Sequence, residues 1–217
     1  MLLSPSLYEL TPPKHTVHTH ALKDIVQMLN PSTGFIQNCN STPYTVSGAS
    51  SPLKINYPKY MAPDGENFRG INAVKVLQQE NTFTMDKLIT AGYDKNLAAF
   101  EVLMPALINT FTKQHPLIVC TTLLKEPIAL LKKWDYHVAE NSVATTLAVE
   151  WAQRLSAAIR KVYVDEDEAD QVTTTKQFAA TAKANDLLLP FAKTINDLTQ
   201  RYGNGWWNGG ALTVTSV

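Results

Sequence analysis

A chain of 217 residues, 45% hydrophobic and 18% charged, is long enough for one large domain or two small ones with a buried core, which excludes a disordered tail. Lys plus Arg and Asp plus Glu number 19 each, so the formal net charge is zero, no basic stripe is present, and nucleic acid is not an expected partner. The apolar runs fall short of the roughly 20 residues a spanning helix needs, so no membrane span is expected.

The chain opens "MLLSPSLYELTPPKH", which has neither the basic leader nor the apolar stretch of a signal peptide. His15, His18 and His20 follow in "KHTVHTH". Three imidazoles this close could ligate a transition metal, but only His18 and His20 alternate on an extended strand, and no carboxylate or Cys follows at ligand spacing, so no metal site is assigned. Cys39 and Cys120 are the only cysteines and lack CxxC spacing, which makes neither a disulfide framework nor a zinc site.

Most of the prolines fall in residues 1–70, in "TPPKH", "NPSTG", "STPYT", "SSPLK" and "NYPKYMAPDG". They forbid long helices and favour tight turns with short extended pieces, so this third is expected to be irregular with short strands. Within it lies "GFIQNCNSTPYTVSG", Gly34 to Gly48, where Phe35 and Ile36 lead into an uncharged crowd of carboxamides and hydroxyls. A turn explains part of it, because Asn and Ser hydrogen-bond their own backbone and tolerate left-handed conformations. Asn38 and Asn40 stand two apart behind an apolar, strand-like segment, where side chains would point the same way. A neutral carboxamide there is the kind of fixed, uncharged donor that an oxyanion needs.

From about residue 71 to 204 the pattern turns helical. "GINAVKVLQQ" spaces Ile71, Val74 and Val76 or Leu77 for a helix. The next helix should be capped by Thr84 or Thr82 with Asp86 in its first turn. A helix over 95–113 carries Leu97, Phe100, Met104, Leu107 and Phe111 on one stripe, with Pro105 expected to kink or break it. Residues 117–124 read either as a strand or as a helix start, and Pro127 suits a first helical turn. Asp135 and His137 suggest an acid–base pair, yet no nucleophile or orienting group accompanies them, and Trp134 and Tyr136 read as packing. Val143, Leu147, Trp151 and Leu155 share a face behind Asn141 or Ser142 as cap, and a last helical pair ends at Gly203. "VDEDEAD", residues 164–170, reads as a solvated loop or helix end.

Five blocks, "GFIQNCNSTPYTVSG", "NYPKYMAPDGENFRGINAVKVLQ", "FTMDKLITAGYDKNLAAFEVLMPALI", "LLKKWDYHVAENSVATTLAVEWAQRL" and "LTQRYGNGWW", occur in the order and rough spacing of the β-chain of penicillin acylase family enzymes. The resemblance spans about residues 20–204. These N-terminal-nucleophile amidohydrolases include acyl-homoserine-lactone acylases. The resemblance implies an N-terminal Ser, freed by self-cleavage, that attacks an amide carbonyl with its own α-amino group as base. It also implies an oxyanion donor at Asn40, the second Asn of an Asn-x-Asn pattern, with Asn38 in support. Arg69, just before the helix that opens the helical section, would hold Asn40 in place.

Mainly α is therefore the expected class, as part of a larger αββα enzyme. Residues 1–217 would form a single segment of an acylase β-chain: 1–70 irregular, 71–204 helical, and 205–217 an atypical tail. The nucleophile, the other oxyanion donor and the acyl-pocket strands have no counterpart here, so the chain resembles an internal slice of a larger enzyme or the product of a split or truncated gene, inactive alone. Partners implied by the resemblance are the remaining α- and β-chain segments and a small N-acyl amide substrate. No cofactor is implied for this stretch, calcium being left to the complete enzyme, and the implied compartment is periplasmic or secreted. The alternative is a non-catalytic helical binding or scaffold domain derived from such an enzyme.

Overall fold

The computed structural model describes residues 20–114, 121–162 and 170–208. Among them the fold is mainly helical, with seven α-helices: α1 Phe68–Leu77, α2 Met85–Gly92, α3 Ala99–Gln114, α4 Thr121–Lys132, α5 Val143–Ile159, α6 Gln171–Thr181 and α7 Ala184–Tyr202. The expected short strands of the first third are not found in residues 20–70. Four single 3-10 turns stand there instead, because the prolines and the hydrogen-bonding side chains keep closing the chain on itself.

Local chemistry starts two of the helices where the residues suggest. Thr84 caps α2 by accepting from the Lys87 N–H, and Ser142 caps α5 by accepting from Thr145. Gly203 ends α7 at φ 83°, a left-handed conformation that suits glycine. Two prolines behave differently from expectation. Pro105 leaves α3 unbroken, since it sits on the exposed side, where the carbonyl it cannot satisfy faces solvent. Pro127 lies inside α4, not in its first turn, because the helix already begins at Thr121. Of the ambiguous run 117–124, residues 121–124 are helical in α4, while 117–120 lie outside the described residues.

One core joins α3 to α7. The stripe of Phe100, Met104, Leu107 and Phe111 on α3 is buried, as are Val143, Leu147, Trp151 and Leu155 on α5. Trp151 meets Phe191 of α7 edge to face, with ring centroids 6.1 Å apart, and its indole N–H donates to the Leu187 carbonyl. Trp206, in a short turn after α7, is buried and donates to the Thr199 hydroxyl.

Neither α1 nor α2 contributes to that core cluster. α1 is held by polar contacts instead. Lys75 donates to Glu101 at 2.6 Å, and Asn72 donates to Asp94 while accepting from Asn96. The Lys75 hydrogen bond holds the Glu101 carboxyl below its usual range, burial opposing it. At Asp94 burial pushes upward, but donation from Asn72 and the Asn96 N–H, with His137 and Lys75 nearby, leaves the carboxyl lowered.

Candidate functional site

The loop from Gly34 to Gly48 closes through its own polar groups. The Gln37 N–H donates to the Val46 carbonyl at 2.9 Å, and the buried Ser47 hydroxyl donates to Phe35 at 2.7 Å. At its tip the chain turns left-handed, with Asn40 at φ 53°. Asn is among the few non-glycine residues that tolerate this region. Asn38 is not stacked beside Asn40 as on a strand. Its Oδ1 accepts from the Asn40 N–H at 3.0 Å, so Asn38 makes the turn that gives Asn40 its conformation.

The Asn40 side chain is exposed, and its Oδ1 accepts from Arg69 Nη2 at 3.3 Å. A carboxamide whose oxygen is taken by a guanidinium is fixed in orientation and keeps its Nδ2 as the remaining donor. Arg69 lies inside the first turn of α1, not before the helix, because Asn67 caps α1 and starts it at Phe68.

Two glycines show how closely the parts approach. A Cβ on Gly70, in the first turn of α1, would lie 2.8 Å from the Ser41 hydroxyl, so only glycine lets the helix sit against the loop. A Cβ on Gly65 would meet the Asp170 Cβ at 2.4 Å, and the Gly65 carbonyl accepts from the Thr42 N–H at 3.1 Å. Asp170, the last residue of the acidic run, caps α6 by accepting from Thr173 and also accepts from the Glu66 N–H. The rest of that run lies outside the described residues. Burial and then the neighbouring Asp170 carboxylate push the Glu66 carboxyl up, against the pull of Lys176.

Asn38 and Asn40 line a cleft of about 540 Å³ whose other walls include Val26, Met28, Ile36 and Val46. Gln37 and Ser41 also border it and are buried; among the described residues the Gln37 carboxamide and the Ser41 hydroxyl have no hydrogen-bond partner. These are polar groups that the turn itself does not use. Chemically, the cleft offers neutral carboxamides and a hydroxyl beside apolar walls, with Asp64 as the charged residue of its lining.

The other candidates resolve differently. His20 Nε2 is 2.8 Å from the Tyr60 hydroxyl, while His15 and His18 lie outside the described residues. Among the described residues no group of three or more His, Cys, Asp or Glu side chains could hold a metal ion. No helix among them is long and apolar enough to cross a membrane. Asp135 and His137 form a local turn, with the His137 N–H on Asp135 Oδ1 at 3.0 Å and His137 Nδ1 2.8 Å from the Asp135 carbonyl. They line a second cleft with Asn72, Lys75, Asp94 and Glu101, whose lining contains no Ser, Thr or Cys to act as nucleophile.

Asn67 is the residue whose importance sequence reasoning missed. Its signal was available, since Asn directly before a helical pattern is a preferred cap. Compared with known families, the chain is matched by the model for penicillin amidase over residues 10–216.

Proposed function

Because the chain belongs to the penicillin amidase family, we propose that it supplies the oxyanion side of an amidohydrolase active site acting on a small N-acyl amide. Asn40 donates from Nδ2 to the oxygen that becomes negative as the amide carbonyl is attacked, Arg69 orients that carboxamide through Oδ1, and Asn38 holds the turn. The observation that carries this reading is the Arg69 Nη2 to Asn40 Oδ1 hydrogen bond at 3.3 Å, made on a residue that lines the cleft. A guanidinium that occupies the oxygen leaves the donor facing outward, and a donor placed before reaction costs no reorganisation when charge develops.

By its resemblance, the nucleophile is an N-terminal Ser with its α-amino group as base, on a segment outside the described residues. The 217 residues then act as one segment of a β-chain, joined to the remaining α- and β-chain segments in an αββα enzyme. Asn40 works only with that nucleophile, since a donor with nothing attacking accomplishes no turnover.

The test is made in a complete enzyme, with the remaining α- and β-chain segments supplied, assayed with a chromogenic N-acyl amide. Asn40→Ala should lower kcat by about 10²- to 10³-fold, roughly 2.7–4 kcal/mol, with little change in KM. Arg69→Lys should also be harmful, because one ammonium does not replace a planar fork. Asn38→Ala and Cys39→Ala should cost less. An Asn40→Ala enzyme with the near-normal kcat of Cys39→Ala would overturn the assignment, and a completed enzyme that hydrolyses no acyl amide would favour the helical scaffold reading.

A further inference from the structure

We propose that Asn67 is a positioning residue that holds the left-handed Asn40 turn against the helix carrying Arg69; this rests on the oxyanion reading of Asn40. The two ends of its carboxamide serve different elements. Oδ1 accepts from the Gly70 N–H at 2.9 Å and so starts α1. Nδ2 donates to the Cys39 carbonyl at 3.0 Å and to the Asn40 carbonyl at 3.2 Å, gripping the backbone on both sides of the turn. Arg69 stands two residues further on and reaches the Asn40 side chain itself.

Asn67 and Arg69 therefore hold the same turn from one short segment, the first by its backbone and the second by its carboxamide. The backbone grip matters because Asn40 occupies a conformation that L-residues adopt reluctantly, φ 53°, and a turn released from it would carry the Nδ2 donor elsewhere. The surrounding contacts point the same way. Gly70 lets the first turn of α1 lie on Ser41, and the Thr42 N–H is bound by the Gly65 carbonyl, two residues before Asn67.

Residue chemistry makes the role separable from helix capping. Ser and Asp both cap helices well, so either keeps the bond to Gly70. Ser is too short to reach the loop carbonyls, and Asp would set a carboxylate against two carbonyl oxygens. Only a carboxamide of this length accepts at one end and donates at the other.

Asn67→Ser and Asn67→Asp are made beside Asn40→Ala in the complete enzyme, with the remaining α- and β-chain segments supplied, and amide hydrogen exchange is read by NMR together with steady-state kinetics. In both Asn67 variants the Gly70 and Ile71 amides should keep their protection while the Asn40 and Thr42 amides exchange about ten-fold faster. With the donor displaced, kcat should fall about ten-fold at nearly constant KM. Parent-like exchange at Asn40 and Thr42 would overturn the proposal. Faster exchange with unchanged kcat, in a protein where Asn40→Ala does lower kcat, would overturn it as well. Unchanged kcat in Asn40→Ala would instead remove the oxyanion reading beneath it, and the exchange rates would still report whether Asn67 holds the turn.

Discussion

Glu66 shows how a single side chain can report on the strap that leads to Asn67. Its carboxyl is raised first by burial and then by Asp170, so the folded protein holds this proton more tightly than the unfolded chain does. The sign follows from linkage: the contribution to stability is fully present below the unfolded carboxyl's range and is lost as pH rises through the raised folded value. Glu66→Gln removes that titration. Thermal melts between about pH 4 and 7 should therefore show a flatter pH dependence for Glu66→Gln than for the parent on this account, and identical curves would mean that Glu66 titrates as it does unfolded. At this scale the carboxamide pair Asn38 and Asn40 was legible in the residues, and it was the family resemblance that singled out Asn40. The division of labour was not, since whether Asn38 shares a face with Asn40 or makes its turn depends on backbone angles.

Among the elements, α6 shows how a helix end is used twice. Asp170 accepts from the Thr173 N–H at 2.7 Å as the helix cap and from the Glu66 N–H at 3.3 Å across the fold. Asp170→Ala should cost about 1–2 kcal/mol in urea denaturation, because it removes a cap and leaves the Glu66 N–H without its partner. Asp170→Ser keeps the cap and should cost clearly less; equal losses would mean that the bond to Glu66, and not the cap, explains Asp170. Caps such as Thr84 and Ser142 were readable because capping is decided within four residues. The placement of Pro127 was not, because α4 begins six residues before it and Leu124 and Ile128 are drawn into the core shared with α3, α5 and α7.

For the whole molecule, stability is concentrated in the cluster joining α3 to α7. Phe191 and Trp151 are fully buried at its centre. Phe191→Ala should destabilise the protein by about 3–5 kcal/mol, measured by denaturant unfolding, because it removes transfer energy and leaves a cavity against the indole. A loss under about 1 kcal/mol would mean that the core is loosely packed there. The site stands apart from this cluster. The Asn40 loop and α1 are joined to the rest by bonds such as Lys75 with Glu101, Asn72 with Asp94 and Asn96, and the Glu66 N–H with Asp170, so core substitutions should reach the site weakly.

Periodicity, proline placement and capping residues by themselves determined the helical class, the buried stripes on α3 and α5, and the ends of α2, α5 and α7. These are local matters, set by side-chain spacing and by hydrogen bonds within a few residues. Only the tertiary structure decided that Asn67 also reaches back to the Cys39 and Asn40 carbonyls, 28 and 27 positions away, and that Asp170 reaches Glu66 from 104 positions away. Those outcomes depend on which distant backbone groups come within hydrogen-bonding reach, and no window of sequence contains both partners.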